Sequence, residues 1–251
     1  MGDTYTPIKT NTFQNFNGVD GSLFNYTSVD KNTITLKFRL DYNNYYDLKA
    51  LRHKVYDLLM QKDIYRVRTD AEPFMVKFCY SVGFDIDPAV EGGNTALITL
   101  AMDNPSGYLF SLKTSDQQED IWDDYPLGWH IPVFSPADFT FENTNTFQVY
   151  NPSSKVIDPY YNKDTLKFLF QFQGNSFKLT NQTNGSTYSL NKPSRYNNTI
   201  VVDGLATLIG STVCTNYTDY DNIILDRGWN KFKVVGASAF SITFSFPFVY
   251  L

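Results

Sequence analysis

The residues that most often do chemistry are thinly spread in this chain of 251 residues. It has two histidines, His53 and His130, and two cysteines, Cys79 and Cys214. A zinc site gathers such ligands in close pairs, and a zinc helix sets its histidines four apart. None of these four residues has a partner at that spacing, and the cysteines are too far apart to form a disulfide framework. The glycine-rich phosphate loops and the G-x-S-x-G turn of serine hydrolases are missing as well. Carboxylates are plentiful, but a glycosidase needs two of them flanking one sugar bond, and Glu91, Glu119 and Glu142 fall in segments that read as loops. These residue types predict no catalytic residue, no metal and no cofactor.

Two surface features remain. Asp116, Glu119, Asp120, Asp123 and Asp124 form an acidic run that reads as a solvated loop, with metal or basic-partner binding as the alternative. Trp122, Trp129, Tyr160, Tyr161, Tyr217 and Tyr220 are spare aromatics. They would suit either the stacking of sugar rings or the burial of a neighbouring subunit.

The elements that hold these residues are mostly strands. Aromatics make up 17% of the chain, with 21 Phe and 18 Tyr, and such residues fit a pleated, half-buried surface. Hydrophobic residues at 42% and charged residues at 19% are enough for a packed core. The net charge of −5 argues against tight, phosphate-dominated binding of nucleic acid. It is unevenly spread: residues 1–134 carry 12 Lys/Arg against 18 Asp/Glu, and residues 135–251 carry 9 against 8. The first residues lack a basic stretch followed by an apolar run, so no signal peptide is expected. No stretch is long and apolar enough to span a bilayer as a helix.

After the turn Asn17-Gly18-Val19-Asp20-Gly21, Ile34, Leu36, Phe38 and Leu40 alternate with polar residues and predict a strand with one buried face. One helix is expected over 45–62, with Leu48, Leu51, Val55, Leu58 and Leu59 toward a core and Asn43 or Asn44 as its cap. On its flank, Tyr45, Arg52 and Tyr56 widen the apolar stripe. They either cover the edge of the domain's own core or meet a second subunit. Strands are expected at 64–69, 74–82, 96–102 and 107–113. Pro126, Pro132 and Pro136 then mark an interdomain connection, which divides the chain into domains 1–134 and 135–251. The second half offers strands only: Phe147 and Val149, 166–172, Phe177 and Leu179, Ile200 and Val202, 223–225, Phe232 and Val234, and a last strand carrying Phe240, Ile242, Phe244, Phe246 and Phe248. Short strands separated by turns argue for a β-sandwich.

The order of these features resembles the distal tail proteins of siphophages, over nearly the whole chain. It is carried by Gly18-Val19-Asp20-Gly21 before an alternating strand, the lone helix with Leu51-Arg52 and Leu58-Leu59, Phe147-Gln-Val-Tyr-Asn-Pro152, and the ending Gly228-Trp-Asn-Lys-Phe-Lys-Val234 with Phe244-Ser-Phe-Pro-Phe-Val-Tyr-Leu251. Pro247 stands where a basic residue is expected in the closing strand, and Lys31-Asn32 where an arginine is common. The resemblance implies a mainly β protein with one helix: an N-terminal sandwich-like domain that forms a ring, usually hexameric, and a C-terminal galectin-like β-sandwich. It also implies a structural hub of the phage tail tip or baseplate, assembled in the host cytoplasm, and not an enzyme. Its partners would be the major tail tube protein, the tail-tip or tail-associated lysin protein, and receptor-binding or baseplate proteins, with DNA passing through unbound and no membrane contact. The alternatives are a sugar-binding adhesin module of the tail and a cell-wall hydrolase.

Overall fold

The structure is a computed structural model that describes residues 6–118, 134–161 and 166–251. The acidic residues from Glu119 to Asp124, His130, Trp122, Trp129 and most of the proline-rich connection lie outside the described residues. By contact the chain divides into two compact units, Met1–Leu109 with Leu251, and Phe110–Tyr250.

The first unit begins with β1 (Lys9–Gln14) and β2 (Leu23–Val29), which pair only with each other in an antiparallel hairpin. Then follow β3 (Asn32–Asp41), α1 (Tyr45–Leu59), β4 (Tyr65–Thr69), β5 (Glu72–Ser81), β6 (Ile86–Pro88) and β7 (Thr95–Asn104). β3 pairs with β7 along its full length, so Ile34 sits opposite Met102, Leu36 opposite Leu100 and Leu40 opposite Ala96. The alternation expected for this strand holds at Ile34, Leu36 and Leu40 and sets its register against β7, whereas Phe38, opposite Ile98, is 45% exposed.

α1 lies on that sheet. Leu48, almost fully buried, packs with Tyr42, Ile86, Ala96 and Ile98, and Leu51, Val55 and Tyr56 close over them. Asn44 caps the helix, its side chain accepting from the backbone N–H of Tyr46 and Asp47 at 3.0 Å each. The helix ends at Leu59, three residues before the expected 62. Its last carbonyls are taken up by side chains instead of further turns: the Tyr65 hydroxyl donates to Leu58 O at 3.0 Å and Gln61 Nε2 to Asp57 O at 3.1 Å. Leu58, expected on the buried stripe, is 65% exposed.

The second unit takes in most of β8 (Leu109–Thr114), then β9 (Thr140–Glu142), β10 (Thr146–Asn151), β11 (Lys167–Asn181), β12 (Thr187–Leu190), β13 (Ser194–Arg195), β14 (Ile200–Asp203), β15 (Ala206–Ile209), β16 (Thr212–Val213), β17 (Gly228–Ser245) and β18 (Pro247–Tyr250). The division by contact thus falls after Leu109, the first residue of β8, whereas the proline-rich connection and the change in charge balance suggest 134/135. Buried serines explain the attachment of this segment to the second unit. Ser111 Oγ accepts from Phe248 N at 2.8 Å, and Ser115 Oγ donates to Phe244 O at 2.9 Å.

β11 and β17 are the spine of this unit, at 15 and 18 residues. Each was expected as two separate strands. Both run on through a bulge, where the register shifts between Gln173 and Lys178. At that point Gly236 has φ +91, and a Cβ there would lie 2.8 Å from Ser176 O; one on Gly174 would lie 2.6 Å from Gly236 O. Only glycine permits so close an approach. Beyond the bend, β17 is joined by β10 and β11 by β12; before it, β9 and β14 flank the same two strands. Strands that change layer at a bulge make the corner of a sandwich. Phe168, Phe170, Phe172, Phe177, Phe232, Phe240 and Phe244 fill the space inside, all nearly inaccessible to solvent. Phe248, expected on the last long strand, belongs instead to β18, because the chain breaks at Phe246 and Pro247 begins the new strand.

Candidate assembly surfaces and family

The three residues singled out on the helix flank have different surroundings. Arg52 donates from its guanidinium to Ile86 O and lies 4.0 Å from an Asp87 carboxylate oxygen. Tyr56 rests on Phe84, ring centres 5.3 Å apart. Tyr45 is 61% exposed, with the Lys49 ammonium 4.8 Å from its ring centre. At 100° per residue, Arg52 and Tyr56 lie on the opposite edge of the stripe from Leu58. Their contacts with Ile86 and Phe84 turn the helix toward that edge, and Leu58 is left in solvent. Of the three, Tyr45 is the residue presented outward.

The β1–β2 hairpin was not expected beyond its turn, yet it is the most apolar exposed element of the first unit. Phe13, Leu23, Phe24 and Tyr26 are each more than half exposed, and Phe16 and Val19 extend the surface around the turn. Phe13 and Phe24 meet edge to face at 5.9 Å. A two-stranded hairpin with no sheet beside it is marginal in water and gains from being covered.

The outer face of β3 is polar by contrast, and two of its charged groups, Asp103 opposite it and Asp41 on it, are paired. Lys31 Nζ donates to Asp103 at 2.6 Å and Thr33 to the same carboxylate at 2.7 Å, which holds Asp103 below the usual carboxylate range. Arg39 and Thr95, each at 2.9 Å, do the same for Asp41. On the second unit, Tyr160, Tyr161, Tyr217 and Tyr220 are exposed as the sequence suggested. Tyr217 carries the Lys192 ammonium 4.7 Å from its ring centre.

Cys79 and Cys214 are both buried and unbridged. Among the described residues no group of His, Cys, Asp or Glu could hold a metal ion, and no helix is long and apolar enough to cross a membrane. His53 is an exposed helix residue. These surfaces are suited to protein contact.

Residues 2–102 match a family described as the phage tail protein RIFT-related domain. The fold of the whole chain is that of the siphophage distal tail proteins, as the sequence resemblance implied. The Dit protein of phage SPP1, described as a paradigm of the hub adsorption apparatus in phages infecting Gram-positive bacteria, aligns with a TM-score of 0.70 at 11% identity, over 97% of this chain and 89% of that one. Two structures of the phage p2 baseplate in its activated conformation, with strontium and with calcium, align with TM-scores of 0.41 and 0.40 at 10% identity, over 96% of this chain and 89% of theirs. No curated protein matches the sequence.

Proposed function

We propose that the protein is a structural hub of a siphophage tail tip, a ring of copies that joins the tail tube to the tip and receptor-binding or baseplate proteins. The observation that carries this reading is the exposed apolar hairpin on a domain of phage tail type. Phe13, Leu23, Phe24 and Tyr26 form a surface that a single chain leaves wet and a neighbouring copy would cover. Six copies are proposed from the family resemblance, with Tyr45 and the accessible parts of Arg52 and Tyr56 lying at the contact between copies. In this reading the N-terminal domain makes the ring, and the second unit stands as a galectin-like sandwich to which tip proteins dock. DNA would pass through the opening. An acidic chain suits that passage, because a dense lysine and arginine wall would hold DNA by counterion release. The protein would act through binding alone, without catalysis.

Light scattering of the purified chain across a dilution series tests the reading. The expected result is a closed multiple of 28.8 kDa, with six copies as the proposed number. A strict monomer, both alone and when mixed with the tube and tip proteins of the same phage, would refute the ring.

A further inference from the structure

The second unit has a sheet face that its core does not use. β10, the first half of β17, the second half of β11 and β12 lie side by side, and their alternate residues Phe147, Phe232, Val234, Phe177, Leu179 and Tyr188 point into the core. The other alternate residues point outward. Along β17 these are Trp229, Lys231 and Lys233, about 6.8 Å apart at strand spacing. Lys178 stands on the neighbouring strand, where Thr180 is opposite Lys233. Tyr150 pairs with Trp229 and Gln148 with Lys231. The remaining outward positions on β10, β11 and β12 are mainly Thr and Ser.

The outward positions of these strands hold three lysines, on a chain whose net charge is −5, and the carboxylates nearby lie at the β12 edge, where Asp221 accepts from Thr187 Oγ1 and Asp219 from Ser189 N, each at 3.2 Å. All three lysines are exposed, and none forms an ion pair among the described residues. Trp229, 56% exposed, is held in place at the end of the row. Tyr150 packs edge-on against it at 4.9 Å. The turn before it is fixed by buried Asn230, which donates to Asp226 O at 2.8 Å and Gly228 O at 3.0 Å.

We infer that this face binds an anionic polysaccharide, one whose sugar units carry phosphate or carboxylate groups. Charge complementarity calls for an anion, and the row of lysines calls for a polymer that repeats its charge. The indole beside them offers a flat apolar surface to the face of a sugar ring, and Gln148 with the flanking hydroxyls can exchange hydrogen bonds with its hydroxyl groups. A protein partner fits less well, because lysine is depleted at protein interfaces. This inference goes beyond the hub reading and does not depend on the ring.

The test uses the full chain and four probes at low and moderate salt: polygalacturonate, a phosphomannan, neutral dextran and oligodeoxythymidylate. Binding is expected to polygalacturonate, to the phosphomannan or to both, which decides between carboxylate and phosphate, and to fall steeply between about 0.05 and 0.3 M salt, which shortens the screening length about 2.4-fold. The triple change Lys178→Gln, Lys231→Gln, Lys233→Gln should weaken that binding by at least about tenfold, since it removes every unpaired charge of the face. Trp229→Ala should weaken it by about two- to tenfold. Both variants alter exposed side chains, and an unchanged thermal transition verifies that they fold. The inference is overturned if neither anionic polysaccharide binds, if dextran binds equally, or if the lysine variant binds unchanged. It is also overturned if oligodeoxythymidylate binds as tightly, which makes the face a nucleic-acid surface, or if the lysine variant loses self-association instead, which makes it a contact between copies.

Discussion

Ser115 shows how much a single buried side chain can fix in this protein. Its hydroxyl donates to Phe244 O at 2.9 Å and accepts from Phe246 N at 3.2 Å, with no accessible surface of its own. Alanine at this position would leave one buried donor and one buried acceptor unmet, so Ser115→Ala should cost about 1–3 kcal/mol of stability, measured by urea unfolding. Asp103 offers a different test. Its carboxyl is held below the usual range by the hydrogen bond from Lys31 and then by that from Thr33. A carboxylate with a depressed folded value stabilises the fold above the ordinary Asp value, about 3.9, and that contribution is lost as pH falls further toward the folded value. The pair is partly exposed, so the effect should be under about 1 kcal/mol. Asp103→Asn should therefore lower stability slightly at pH 7 and make no difference at the lowest pH, as followed by thermal unfolding across pH. A variant equally destabilised at both extremes would contradict this assignment.

At the scale of elements, the alternation of residues predicted most of what forms. β3, β10 and the helix with its Asn44 cap follow directly from periodicity and capping chemistry. The long strands did not, because Gly174-Asn175-Ser176 and Gly236-Ala237-Ser238 carry the composition of turns. What makes them bulges is a contact across strands, with Gly236 packed against Ser176 and Gly174 against Gly236, and no local pattern records it. The hairpin arm was missed for a related reason. Its apolar residues do not alternate against a core, since they have no core to face. The edge of the helix stripe departs from its periodicity at Leu58 because its setting is decided by Arg52 and Tyr56, whose partners Ile86 and Phe84 lie far along the sequence. The bulge itself can be tested. Gly236→Ala puts a methyl group about 2.8 Å from Ser176 O at φ +91 and should cost more than about 1 kcal/mol, seen as a lower unfolding midpoint. Alanine at Gly185, where the backbone is also left-handed but nothing lies within 4 Å, should cost less. Equal losses at the two sites would mean that crowding at the bulge is not what demands glycine.

At the scale of the whole molecule, the two proposed surfaces rest on opposite physics, and salt separates them. The hairpin arm presents Phe13, Leu23, Phe24 and Tyr26, and association through apolar area is not screened by added ions. The outer face of β10, β17, β11 and β12 presents Lys178, Lys231 and Lys233, and its attraction to an anion is screened. Self-association should therefore persist at 0.5 M salt, well above the roughly 0.15 M of physiological screening, while polysaccharide binding is lost. The double change Phe13→Ser, Phe24→Ser should do the reverse. It should lower the assembled mass, leave polysaccharide binding by each chain in place, and hardly alter the unfolding of the rest of the first unit, because neither ring is part of its buried clusters. The measurement is light scattering of the wild type and the double variant at both salt concentrations. If the assembled mass falls with salt and is indifferent to the two phenylalanines, the copies are held by charged contacts, and the arm has some other partner on the tail.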